Sequence, residues 1–345
     1  MIMHTLKVVR VIAAWVFVSL LAACGGGGGG TTPGTATTSG TGSTPSQAPS
    51  PGGSTLGIVW TSFSPPPGGT NWNGVAFGNN TWAAVGSGVT GYSTNGSNWT
   101  SMTVSTSDPS YAKGALTFAN GLFMATSEFG VSTSTDGITW LFKNLSNNSG
   151  SNPEPQGLAG IAFGNNTWVA VDNRYLTDDF IAFEVSSNNG ASWTYVTTPM
   201  PYAQPTSVAF GNGKFVAVGY GSFVATSANG TTWTKQSLGF SDGLTSVTFG
   251  NNLFVAVGSL GDAYSSPDGV TWTKTLLSSA SGLSSICFGN NEFVAVGGIY
   301  TSSDGNTWTA RSLTQPVVGG GTLSSVAFGN NQFIAVGGST FAISQ

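Results

Sequence analysis

The sequence predicts an all-β chain: a seven-bladed β-propeller of four-stranded blades, closed by an N-terminal strand that completes the last blade. Three observations predict it. An aliphatic–small–phenylalanine string recurs seven times, at Val75-Ala76-Phe77, Leu116-Thr117-Phe118, Ile161-Ala162-Phe163, Val208-Ala209-Phe210, Val247-Thr248-Phe249, Ile286-Cys287-Phe288 and Val326-Ala327-Phe328. Its phenylalanines lie 41, 45, 47, 39, 39 and 40 positions apart, a period of blade length with strand-like content. No segment after residue 24 carries helical periodicity.

Each repeat reads as four strands in order. The first is short and alternating, as in Ser207-Val208-Ala209-Phe210. Gly-Asn-Asn or Gly-Asn-Gly follows, residues that tolerate the positive φ of a tight turn. The second strand is continuously apolar, as in Phe254-Val255-Ala256-Val257, which suits a sheet covered on both faces. The third ends in Ser-x-Asp/Asn-Gly, and the fourth begins with Trp and Thr. The last repeat stops at Phe341-Ala342-Ile343-Ser344, the end of a third strand. The first globular residues, Ile58-Val59-Trp60-Thr61, match Thr231-Thr232-Trp233-Thr234. The N-terminal strand is therefore expected to lock the ring and remove its open sheet edges.

Three regions are expected: 1–23, 24–56 and 57–345. Lys7 and Arg10 precede an apolar run from Val11 to Leu21, too short to span a bilayer comfortably. Leu21-Ala22-Ala23-Cys24 then resembles the lipobox of bacterial lipoproteins. That resemblance implies cleavage before Cys24, acylation of Cys24 and a lipid-anchored place in the bacterial cell envelope. By the same resemblance, Gly25 at the next position, in place of Asp, permits sorting to the outer membrane of a double-membrane bacterium. Residues 25–56 are rich in Gly, Ser, Thr and Pro and read as a flexible tether with a reach of about 30 Å. Cleavage removes the only histidine, His4, and leaves 7 Lys+Arg against 13 Asp+Glu, a formal charge of −6. Cys287 then has no disulfide partner and reads as a small core residue, because its repeat mates are Ala or Thr.

The hairpin motif recurs six times, around Asn95, Asp136, Asn188, Asn229, Asp268 and Asp304, each followed by Gly and then Trp. Asp or Asn folds its side chain back on turn amides, and Gly supplies positive φ. These residues resemble the Asp-box, or BNR, repeats of sialidase-like propellers. The usual box has one residue between Asp and Gly, and only the copy at 186–193 keeps it. The resemblance implies that all six positions build turns and lie away from the working face.

The residue inventory excludes several activities. Only 6% of the chain is charged, so no basic patch for nucleic acid can be assembled. The photosystem II assembly propellers of the same superfamily use a basic patch, which seven scattered cations do not supply. A sialidase, by that resemblance, needs three arginines, and the mature chain has Arg174 and Arg311. Without a mature histidine there is no Ser-His-Asp triad, no His-ligated zinc and no copper site of the galactose-oxidase type. No catalytic residue, metal or cofactor is assigned. A two-carboxylate glycosidase is compatible with the inventory, since it needs only two acids about 5–10 Å apart; Asp172 and Asp178 are its candidates.

One stretch departs from the repeat. Fifteen positions separate Val171 from the motif residue Ser186, against 6 to 9 elsewhere. The insertion holds Asp172, Arg174, Tyr175, Asp178 and Asp179. Two blade connections are also long and carry Asp108, Tyr111 and Glu154; Trp72 and Tyr202 lie in others. By propeller resemblance these segments share one face, over blades 1–3, and form a candidate binding surface. The Asp178-Asp179 pair alone cannot supply the six or more oxygens of a calcium site. The sequence therefore predicts a monomeric, surface-tethered, non-catalytic propeller that binds a glycan or a protein, with a carbohydrate-active hydrolase as the alternative.

Overall fold

The computed structural model describes residues 59–66, 68–69, 71–103, 114–145, 157–173, 180–200, 203–237, 239, 242–277, 281–314 and 322–344. These residues form 28 strands in seven four-stranded antiparallel sheets, with no helix among them. Blades 1 to 6 run over 72–103, 116–144, 158–199, 204–237, 244–276 and 285–311. Blade 4 shows the pattern. Gln204–Gly211 lies innermost, followed outward by Lys214–Tyr220, Phe223–Ser227 and Thr234–Ser237. The second strands are buried almost throughout, as the unbroken apolar runs require.

Blade 7 is built from both ends of the chain. Ser325–Gly329, Gln332–Gly337 and Thr340–Ser344 supply three strands, and Trp60–Phe63 supplies the fourth. The closing register pairs Trp60 with Ser344 and Phe63 with Phe341. Blade 7 then meets blade 1: the Trp72 amide donates to the Gly338 carbonyl at 3.2 Å, and Ser324 Oγ donates to the Trp72 carbonyl at 3.1 Å. The ring is closed, as the sequence predicts.

Seven apolar clusters hold it together, one at each junction. The tryptophans after the hairpins serve six of them: Trp99, Trp140, Trp193, Trp233, Trp272 and Trp308. Trp60 serves the seventh and is fully buried. Its ring lies 6.3 Å from Phe333, against 6.5 Å between Trp233 and Phe215 in blade 4. Trp60 thus takes the place that the hairpin tryptophan holds in a regular outer strand. Cys287 is fully buried in the same cluster as Trp60 and in no disulfide among the described residues.

The glycine that follows the repeated phenylalanine has a packing role as well as a turn role. A Cβ on Gly211 would fall 2.1 Å from Phe249 Cγ of the next blade. The same contact joins Gly329 of blade 7 to Phe77 of blade 1. Six of the seven phenylalanine rings therefore lie directly on the preceding blade's backbone, at a distance that leaves room only for glycine. Blade 2 alone has alanine there, Ala119.

The hairpin at 186–193 is one residue longer for a local reason. Its extra residue, Asn189, has φ +56° and accepts a 2.9 Å hydrogen bond from Trp168 Nε1. Trp82 occupies the matching site in blade 1, where the hairpin lacks that residue, and its indole nitrogen is buried with no acceptor among the described residues. Five repeats carry phenylalanine at this position. Trp168→Phe should therefore cost about 0.5–1.5 kcal/mol more than Trp82→Phe, the usual net worth of one such bond. Chemical denaturation of the two variants measures the difference; equal losses would remove the bond from the account.

Candidate partner-binding face

Antiparallel blades put their loops at two ends. One end carries the Gly-Asn turns and the Ser-x-Asp/Asn-Gly hairpins; the other carries the blade connections and the loops between second and third strands. We call these the hairpin face and the loop face.

The hairpin face is committed to structure. In the Asp136 hairpin, Oδ1 accepts from the Ile138 and Thr139 amides at 2.8 and 2.7 Å, while Ser134 Oγ donates to Asp136 and accepts from the Gly137 amide. Asn229, Asp268 and Asp304 repeat the arrangement. Asn95 also repeats it, and Asn188 does so with one amide over a longer turn. All six positions are turn-builders. Asparagines of the Gly-Asn turns then latch four of the hairpins to the blade before. Asn79 Nδ2 donates to the Thr135 carbonyl, Asn165 to Ala228, Asn212 to Pro267 and Asn251 to Ser303, at 2.8 to 3.4 Å. Gln332 Nε2 does the same across the seam, to the Asn95 carbonyl at 3.0 Å.

The sequence-predicted candidates are expected on the loop face. Asp108, Tyr111, Glu154, Arg174, Tyr175, Asp178, Asp179 and Tyr202 lie outside the described residues, as does Cys24. Trp72 is described and is fully buried. Its ring packs edge-on against Phe341 at 5.4 Å, inside the blade 7–1 core. It is a core residue, and its side chain does not reach the surface expected for it. Asp172 is also buried, 1% exposed, at the end of the second strand of blade 3. Register places it on the same sheet face as Glu184, 2% exposed, which the sequence reading had not singled out. That face turns Trp168 and Ala170 into the core shared with blade 2.

A second polar group escaped the sequence reading. At the blade 4–5 corner, the Tyr264 hydroxyl donates to Asp242 Oδ2 at 2.9 Å. Lys274 Nζ lies 2.5 Å from Asp262 Oδ2 and 5.6 Å from the Tyr264 ring centre. Asp242 is 3% exposed, and its Oδ1 has no hydrogen-bond partner among the described residues. Burial and then the neighbouring carboxylates push the Tyr264 hydroxyl far above the ordinary tyrosine range, so it stays a donor. The available signal was departure from the repeat: neither Asp242 nor Asp262 has an acidic counterpart in another blade. Among the described residues no three His, Cys, Asp or Glu side chains gather as a metal site, and no helix is long and apolar enough to cross a membrane.

These elements define a closed seven-bladed β-propeller. No protein-family model and no curated protein match the chain. Solved propellers do. YCF48 bound to a D1 peptide is 19% identical with a TM-score of 0.63, covering 83% of this chain and 96% of that one. YCF48 from Cyanidioschyzon merolae is 17% identical, TM-score 0.61, covering 83% and 98%. The WD40 propeller domain of Doa1 is 12% identical, TM-score 0.59, covering 84% and 96%. At these identities the likeness is one of fold.

The hairpin carboxylates predict an acid response. Hydrogen bonds from the turn amides of Thr139 and Ile138 hold Asp136 below the usual carboxylate range, and those of Thr271 and Val270 do so for Asp268. At Asp304 burial opposes ionisation, but the Thr307 and Asn306 amides and two hydroxyls outweigh it. Protons then bind the unfolded chain more tightly than the folded one, so stability should fall as pH drops below about 5, through the ordinary Asp value near 3.9. Asparagine already fills three of the six hairpins. The triple variant Asp136→Asn, Asp268→Asn, Asp304→Asn should stay folded at pH 7 and lose less stability between pH 5 and 3 than the wild type. An unchanged acid limb would refute this origin.

Proposed function

We propose that this protein is a monomeric, exported lipoprotein whose propeller holds a protein or peptide partner, or a glycan, on its loop face without catalysing a reaction. The division between the two faces carries the reading. Side chains of the hairpin face are spent on turns and inter-blade latches, whereas the long connections and the buried acids at strand ends belong to the other end of each blade. A fixed ring with variable loops at one end is a common binding architecture. The solved YCF48 structure with a D1 peptide supports a peptide as one class of partner for a propeller of this size. The Asp-box likeness and the lipobox at Leu21–Cys24 support membership among envelope-anchored propellers, with Cys24 acylated and the propeller tethered at the cell envelope.

The hydrolase alternative draws no support from Asp172, which is buried in a blade junction.

Two measurements test the reading. Metabolic labelling with a radioactive or alkyne fatty acid should mark the wild type and not Cys24→Ser, which should leave the membrane fraction. Peptide and glycan arrays should then separate the faces. The double variant Tyr175→Ala, Asp178→Ala should weaken captured binding about tenfold, while Asn212→Ala on the hairpin face should leave it intact. Turnover of a polysaccharide, or loss of binding only in the hairpin-face variant, would contradict the proposal.

A further inference from the structure

We propose that the groove at the outer rim between blades 4 and 5, on the hairpin side, binds an acidic sugar, a single hexuronate ring. The groove lies apart from the loop face, and the inference does not rest on the reading of that face.

Blade 4 leaves a cavity of about 340 Å³ there, open to solvent, with Lys214, Thr226, Ala228, Asn229, Thr232 and Thr234 among its walls. That is the lower end of small-molecule sites, room for one sugar ring. Lys214, Thr226 and Thr234 stand on three successive strands of blade 4. Register sets Val216 beside Thr226 and Thr226 beside Thr234, and Val216, two residues after Lys214, faces the core shared with blade 5. The blade 5 hairpin closes the far side. Lys214 Nζ donates to the Asp268 carbonyl at 3.1 Å, and a Cβ on Gly269 would lie 3.5 Å from Thr226 Cγ2.

The cavity is a departure from the repeat. In the place of Thr226, blades 1, 3 and 7 carry the larger or more apolar Tyr92, Val185 and Ile343. Blade 5 carries Ser265, but Asn306 of the next hairpin reaches its hydroxyl at 2.6 Å. The residue matching Asn306 at the blade 4–5 groove is Val270, whose side chain has nothing to bond with. In the place of Lys214 the other blades hold Thr81, Leu122, Thr167, Leu253, Glu292 and Gln332. A cation at this register is therefore peculiar to blade 4.

The walls are rich in unused donors. Lys214 spends one hydrogen on a neutral carbonyl and forms no ion pair among the described residues. The Asp268 carboxylate feels its charge, but Asp268 Oδ1 is held by the Val270 and Thr271 amides. Asn229 gives Oδ1 to its own turn, and its Nδ2 has no partner among the described residues; nor do the Thr232 and Thr234 hydroxyls.

Chemistry selects among occupants. An ammonium beside hydroxyls and an amide selects a carboxylate. A neutral sugar would leave the ammonium unanswered. A peptide carboxylate would bring a backbone and an aliphatic stem, and the walls offer these one alanine, Ala228. Threonine hydroxyls both donate and accept, as ring hydroxyls require. Carboxylate and ring hydroxyls together describe a hexuronate.

The test titrates methyl glucuronide, methyl glucoside, acetate and the capped tripeptide Ala-Glu-Ala into the full chain, followed by amide NMR shifts at Thr226, Asn229 and Thr232. The wild type should bind the glucuronide at least about tenfold more tightly than any of the others, the scale of a charge-assisted hydrogen bond. Lys214→Leu should erase the advantage over the glucoside, and Thr226→Val should weaken the glucuronide several-fold. Both substitutions copy residues that other blades carry at these places, Leu122, Leu253 and Val185, so the ring should fold. Equal binding of glucuronide and glucoside, or an advantage that survives Lys214→Leu, would overturn the site. Acetate or the peptide binding as tightly as the glucuronide would overturn the sugar assignment. The loop-face variant Tyr175→Ala, Asp178→Ala should leave these titrations unchanged, so failure here leaves the loop-face function standing.

Discussion

The packing of each blade on the next is the constraint on which everything else depends. A four-stranded sheet whose second strand is apolar on both faces cannot stand in water alone. It needs a neighbour on each side, and that demand ends only when the last blade meets the first. Trp60 and its strand meet it here. They fill the place of a regular outer strand with side chains drawn from the other end of the chain, about 280 residues away. The same demand explains the glycine beneath six of the seven phenylalanines and the asparagines that reach to the next hairpin. Both are ring contacts that look, within one repeat, like turn residues.

Much of this was legible because the chain repeats itself. Seven copies of one string give the blade count, and the likeness of Val59-Trp60-Thr61 to Thr232-Trp233-Thr234 gives the closure. The hairpin residues were legible because their hydrogen bonds span four residues or fewer. Contacts between distant blades were not. Trp72 sits among Gly, Asn and Thr in sequence and resembles a loop aromatic, yet its partner is Phe341, at the other end of the molecule. Asp172 looked like part of a polar insertion because the strand boundary falls just after it. The Asp242–Tyr264 pair joins a blade connection to a third strand, and no local pattern announces it.

Structure and chemistry are separated along the ring axis. At the hairpin end, Asp136, Asp268 and Asp304 each accept two turn amides on one oxygen, which favours the ionised form. At the loop end, acids stand at strand ends, and at one of them an oxygen has no donor among the described residues. With 6% of residues charged, three charged side chains at one corner are a marked concentration. The blades supply rigidity, and departures from the repeat supply chemistry.

Native-state hydrogen exchange tests the dependence on closure most directly. The account predicts that amides of Trp60–Phe63 and Thr340–Ser344 exchange only when the whole ring opens, with the same free energy as the second strand of blade 4. Exchange of the closing strand at a much lower free energy, while blades 2 to 5 stay protected, would contradict it.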